Sequence, residues 1–204
     1  MKTKTIKLKT YTFDELKDEV KEKVLEKYRD INVNYDGWHD FIIDDWKRKI
    51  ENLGYENVKI YYSGFYSQGD GACFVATVNI EKWIKKHKAG RRFRKLLNEV
   101  RAGYYAYIGI KHNLSSWLKS RYRYNFSTST DVVFYGDSEL SEKAYKQLEE
   151  MVELIKEERE ELGNEIYRDL EKEYNYLTSD EAIIETLIKN DYEFLEDGSR
   201  QIYI

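Results

Sequence analysis

The chain has 204 residues, a formal net charge of −4, three histidines, one cysteine and no proline. That length suffices for one domain with a sizeable core, the lone Cys73 excludes an intrachain disulfide, and no apolar run reaches the roughly 20 residues of a membrane span. The N-terminal MKTKTIKLKT lacks a signal-peptide core, so the expectation is a cytoplasmic protein in a reducing compartment.

Residues 6–11 alternate like a short strand. Thr12-Phe13-Asp14-Glu15 then reads as a capping box, in which hydroxyl and carboxylate satisfy free amides at a helix start. The helix that follows carries Leu16, Val20, Val24 and Tyr28 at core spacing. A second helix is predicted over 38–53, with Trp38, Phe41, Ile42, Trp46, Ile50 and Leu53 on one side and Gly54 as its C-cap. Residues 58–62 and 73–78 read as strands joined by a Gly-rich loop. Short helices follow over 80–87 and 91–101, broken at Ala89-Gly90. Residues 104–112, 121–126 and 131–135, rich in aromatic and β-branched side chains, complete an antiparallel sheet of about five strands. The last third is helical, with an apolar stripe from Leu148 to Leu177 interrupted at Arg159 and a possible break at Gly163. Thr178-Ser179-Asp180-Glu181 is a second capping box, opening a helix through 188, and residues 192–204 read as a closing hairpin. With no repeat, linker or low-complexity tract, the sequence predicts a single α+β domain over 1–204. Its sheet packs against N-terminal helices and a long C-terminal helix.

Charge is unevenly placed. From Lys82 to Arg123 there are 13 Lys and Arg against one acid, Glu99, whereas beyond Asp137 acids outnumber bases more than two to one. Either the acidic C-terminal helix packs near the basic middle, or the basic middle is an exposed patch for a polyanion. On the second reading Arg91, Arg92, Arg94, Arg121 and Arg123 are the candidate contacts. Residues 121–126 (RYRYNF) alternate basic and aromatic side chains. Such a strand either buries its rings in the core or offers them to single-stranded bases.

The loop at 63–74 is the most distinctive stretch. Three glycines, small hydroxyls, an amide and one carboxylate are interleaved in SGFYSQGDGACF. Such a loop can aim several N–H groups at one spot, with Tyr66, Ser67, Gln68, Gly69, Asp70 and Gly71 forming a binding tip. It can equally be a hairpin turn reversing at Asp70-Gly71.

That segment resembles the signature of a widespread family of bacteriophage and prophage proteins, some labelled antitoxin-like. The likeness extends to YTFDELKDEVKEKVLEKYRD at 11–30, to the 38–45 stretch and to EKEYNYLTSDEAIIETLIKNDYEFLEDG at 171–198. The resemblance implies no activity, cofactor or catalytic residue; it implies a role in binding another protein or nucleic acid.

Other chemistry finds less support. His39, His87 and His112 fall in separate predicted elements with no HxxxH or CxxC spacing, so neither a metal centre nor any cofactor is expected. Asp40 and Asp44 share a helix face, as residues of a solvated first turn do. Cys73, at the start of a strand, reads as a buried thiol, and a Ser67–Asp70–His112 triad requires the fold to converge three distant residues. The leading expectation is a phage-type accessory protein that binds a host or phage protein stoichiometrically, as an inhibitor, counter-defence factor or antitoxin-like module. The alternatives are a sensor or enzyme holding a phosphate- or nucleotide-like group at the loop, and nucleic-acid binding through 82–123. No membrane partner is expected.

Overall fold

Alternation of apolar and polar side chains organises the centre of the chain into a sheet with one buried face. A computed structural model describes residues 8–112 and 130–200. Strands β1 (Tyr55–Tyr62), β2 (Ala72–Val78), β3 (Ala106–His112) and β4 (Thr130–Gly136) pair antiparallel in sequence order. In β2 the inward positions Phe74, Ala76 and Val78 are buried while Val75 and Thr77 are half-buried, the period-two pattern of a sheet covered on one side. The described residues hold four strands where about five were expected; the stretch 121–126, with Arg121 and Arg123, lies outside them. The β1–β2 register shifts between Glu56 and Lys59, and Asn57 there adopts a positive φ of 57°.

By its internal contacts the chain forms two compact units, one of Met1–His39 with Lys172–Ile204 and one of Asp40–Glu171. The second holds the sheet, α2 (Asp40–Leu53), α3 (Ile80–Lys86), α4 (Arg94–Arg101) and most of α5 (Glu142–Leu177). Its core joins Tyr55, Phe74, Ile108 and Ile110 of the sheet to Ile50, Trp83, Leu96 and an α5 stripe of Leu148, Met151, Ile155 and Ile166. These side chains are at most 2% exposed, and each contributes about 1.5–3 kcal/mol of apolar burial.

Helix α5 continues through Gly163 without a break. A Cβ at Gly163 would lie 2.8 Å from the Ala72 carbonyl oxygen, so the glycine lets the helix approach the start of β2. Arg159, the interruption in the stripe, donates from Nη1 to the Thr130 carbonyl. Gly54 closes α2 with φ 108°, and a Cβ there would meet the Trp83 backbone nitrogen at 2.5 Å. No other residue fits that junction.

In the first unit the Glu15 carboxylate accepts from the Thr12 amide at 2.9 Å, ahead of a 3-10 turn (Phe13–Glu15) and α1 (Asp18–Lys27). Helix α6 (Asp180–Lys189) starts one residue later than the motif predicted, with Ser179 as N-cap. The reason is local: the Thr178 hydroxyl donates to the Tyr174 carbonyl at 2.8 Å and closes α5, leaving Ser179 to accept from Ala182. Phe13, Leu16, Val24, Ile183, Leu187 and Phe194 form this unit's core. Tyr11 and Phe194 exchange backbone hydrogen bonds, so the expected 6–11 strand is an isolated bridge over its described part.

Candidate functional site

Two surfaces compete, both in the second unit. The loop between β1 and β2 satisfies its own polar groups. Asp70 Oδ2 accepts from the Tyr66 and Ser67 amides at 2.9 and 2.7 Å. The Asp70 amide donates to the Ser67 carbonyl, the Ser63 amide to the Gly71 carbonyl, and the Gly71 amide to the Ser63 hydroxyl at 3.1 Å. The Ser67 amide first, then the Tyr66 amide and the Ser63 hydroxyl, hold the Asp70 carboxyl below its ordinary value of 3.8 despite the opposing effect of burial. The place where an external anion would sit on those amides is thus filled by the loop's own carboxylate.

The loop is also braced from behind. Phe65 stacks between Tyr62 and Tyr167, centroids 5.8 and 5.5 Å away, and the Tyr167 hydroxyl donates to the Gly64 carbonyl at 3.3 Å. Burial, with the charges of Glu171 and Asp70, raises the Tyr167 pKa. Outward, the tip displays Tyr66 (83% exposed), Ser67 and Gln68. Gly69 and Asp70 are half-buried and Gly71 is buried. The loop residues do come together as expected, but Asp70 serves the turn. Of the suggested Ser67–Asp70–His112 triad, His112 packs its ring on Tyr61 at 4.7 Å; Cys73, expected as a buried thiol, is buried.

The basic segment is built in the opposite way. Asn79 caps α3 by accepting from the Lys82 amide at 3.1 Å, and Trp83, Ile84, Phe93 and Leu96 are buried at 2% exposure or less. Their burial fixes which positions face water. Lys82, Lys85, Lys88, Arg91 and Arg94 recur at every third residue, and all are exposed. The row runs through α3, the turn after it and the start of α4. This spacing was legible in the sequence and is the signal that counting charges over 82–123 missed.

The row lines two adjoining concavities. One, of about 680 Å³, is walled by Lys82, Lys85, Lys88, Arg91 and Arg101 over Ile84 and Leu97; its one acid, Glu81, pairs with Arg101. The other, of about 590 Å³, is walled by Arg91, Arg94, Lys95 and Lys143 with Asn98 and Gln147, and no acid. Arg91 belongs to both.

Some of the cations in this segment have acidic partners and others do not. Arg92 pairs with Glu150 of α5 at 2.5 Å, Lys82 with Glu56 at 2.7 Å, and Lys95 with Glu99 at 2.9 Å. Lys85, Lys88, Arg91 and Arg94 have no ion pair among the described residues. Of the expected contacts, then, Arg91 and Arg94 line the concavities and Arg92 faces an acid.

The platform under these cations is tied together by hydrogen bonds. Gln147 accepts from the Leu96 amide at 2.9 Å and donates to the Arg92 carbonyl at 2.6 Å, fixing the start of α4 to α5. Glu99, 8% exposed, accepts from the Ser141 amide at 3.0 Å. The Lys95 ammonium and then Ser141 hold its carboxyl below the ordinary range despite burial. Deeper, Glu158 takes hydrogen bonds from the Tyr55 hydroxyl (2.5 Å) and Trp83 Nε1 (2.8 Å), while its other oxygen meets His87 Nε2 at 2.7 Å. Burial and the Glu158 charge push the Tyr55 hydroxyl pKa far up, so it remains a donor. This cluster ties α3 to β1 and α5.

Among the described residues no helix is long and apolar enough to cross a membrane. Neither a curated protein nor a solved structure matches the chain. Residues 38–180 match the family model described as Domain of unknown function (DUF8835). That stretch is well over half of the chain and contains both the loop and the basic face, so the protein belongs to the DUF8835 family.

Proposed function

We propose that this protein is a binding protein whose working surface is the basic face of α3 and α4, and that its partner is a nucleic acid held through phosphates. The observation that carries the reading is the every-third-residue row of exposed cations lining two concavities that share Arg91. Unpaired cations cost little in water and gain most where several converge on one polyanion. The overall charge of −4 does not oppose this, because screening over roughly 8–10 Å at physiological salt makes the local patch count for more than the total. Resemblance to phage proteins, some antitoxin-like, fits an accessory factor acting by stoichiometric binding.

The test is anisotropy of a labelled oligonucleotide titrated with the whole protein at several salt concentrations. Log affinity is expected to fall linearly with log salt, and Lys88→Gln, Arg91→Gln and Arg94→Gln each to weaken binding by about three- to tenfold. Salt-independent or absent binding removes the reading.

A second reading, stoichiometric binding of a host or phage protein, is favoured by Tyr66. An aromatic ring 83% exposed on a braced loop is the kind of side chain that anchors protein interfaces. Under it, Tyr66→Ala abolishes capture of the partner and leaves nucleic-acid affinity unchanged. The phosphate-sensor reading of the loop has the least support, since Asp70 already fills its amides.

A further inference from the structure

Resting on the nucleic-acid reading above, we infer that the basic face takes the phosphate backbone of a duplex rather than a single strand or a mononucleotide. Arg91 is the hinge of the site, shared by two phosphate-binding concavities. Proteins that hold single strands without sequence preference combine a basic groove with aromatic rings on which successive bases stack. Neither concavity here has an aromatic side chain in its wall. The rings nearest in sequence, Trp83 and Phe93, are buried beneath the cations at 2% and 0% exposure and have no face to offer a base.

What the walls do present is ammonium and guanidinium groups over short apolar floors, Ile84 and Leu97. That surface makes ionic and hydrogen-bonded contacts to phosphate oxygens and reads no base edge. A duplex arrives with its phosphates at fixed, dense spacing, about one charge per 1.7 Å of axis. A flexible strand must be ordered at an entropic cost that stacking is not present to offset.

Continuity across the two concavities argues against a mononucleotide. A single terminal phosphate occupies part of one of them and leaves the cations of the other unused. A backbone passing over Arg91 engages Lys88 and Lys85 on one side and Arg94 and Lys143 on the other. Because the platform is tied down by Gln147 and Glu99, the spacing of the cations is set before the ligand arrives. Affinity should therefore depend on the geometry of the phosphates as well as their number. Recognition by backbone alone makes binding indifferent to sequence, and the DNA and RNA arms of the test separate A-form from B-form preference.

The experiment titrates the full chain into a 20-base-pair DNA duplex, the matching RNA duplex, each component strand, a nucleoside triphosphate and inorganic polyphosphate of matched charge, at two salt concentrations. At least one duplex is expected to bind about tenfold tighter than its strands, with a scrambled sequence bound equally well. Arg91→Gln is expected to lower the salt slope by about one contact, roughly 0.9 on the log–log plot. Lys146→Gln, an exposed cation of α5 outside both concavities, is expected to leave the slope unchanged. Strands or polyphosphate binding as tightly as the duplexes overturn the inference while the polyanion reading stands. If Lys146→Gln lowers the slope as much as Arg91→Gln, the assignment to these concavities falls. Absence of salt-dependent binding to every ligand overturns the reading on which the inference rests.

Discussion

The β1–β2 loop and the α3–α4 face are both polar, both exposed in part and both unusual in sequence, yet they use their polar groups in opposite ways. In the loop, the one carboxylate accepts from two amides of its own turn, and a serine hydroxyl takes a third amide. Along α3 and α4, Lys85, Lys88, Arg91 and Arg94 stand at one spacing without an ion pair among the described residues. A polar group that has found a partner within its own element contributes to folding. One that has none keeps its interaction energy for something that arrives from outside. The contrast teaches that glycine content and residue variety are poor guides to a binding site compared with which groups are left over.

The comparison predicts that the two regions respond differently to substitution. The largest effect is expected from Lys88→Glu with Arg91→Glu. Nucleic-acid affinity should fall about 100-fold, roughly 2.7 kcal/mol, because two attractive contacts become repulsive. Urea denaturation should show stability within about 0.5 kcal/mol of wild type, since both side chains are exposed. A loss of stability comparable to the loss of binding breaks the distinction drawn here.

The reverse pattern is expected in the loop. Asp70→Ala leaves the Tyr66 and Ser67 amides without their acceptor and should cost about 1 kcal/mol of stability, with nucleic-acid affinity unchanged. An affinity loss beyond twofold in that variant would place the loop in the binding surface after all.

The acid limb gives a smaller, signed effect. Folding lowers the Asp70 pKa below 3.8, so the charged form binds its amides better in the native state. Its stabilisation is complete above the unfolded value and is lost as pH falls through the lowered folded value. The stability difference between wild type and Asp70→Asn should accordingly be flat at neutral pH and close below about pH 4. Glu99, lowered by Lys95 and Ser141, follows the same sign, so an Asp70→Asn background isolates the two contributions. A difference that grows on acidification contradicts the hydrogen-bonded geometry.

The smallest effect is a gain. Glu150→Gln releases Arg92 from its ion pair and should tighten nucleic-acid binding by about two- to threefold in low salt, disappearing in high salt. An unchanged affinity at low salt would mean that Arg92 lies outside the footprint.

Much of this molecule can be read from residue order. The apolar spacing of α5, the cap at Gly54 and the alternation of β2 follow from local periodicity, because helices and strands each impose one repeat on whatever they bury. In α2 the expected apolar side holds for Trp46 and Ile50, but the helix starts at Asp40, after Trp38, and Phe41 is 80% exposed. Charge segregation is equally a matter of composition, and it placed Arg91 and Arg94 among the candidate contacts. Periodicity could not say that α5 runs unbroken past Gly163. Nor could it say why a glycine stands there, where the Ala72 carbonyl leaves no room for a Cβ and is a neighbour 91 positions away in the chain.

The standing of the two surfaces was decided only by the tertiary structure. Sequence order shows that Asp70 is near Tyr66 and Ser67, but whether its carboxylate turns inward or outward depends on how the loop closes against Tyr62 and Tyr167. Sequence order also shows thirteen cations and one acid over 82–123, but among the described residues only Lys95 pairs with that acid, Glu99, and the other partners, Glu56, Glu81 and Glu150, lie outside the stretch. Pairing of charges is a through-space property, and distance in space is what the fold sets. The chain alone determined which groups exist and which faces repeat; the fold determined which of those groups pair with one another among the described residues.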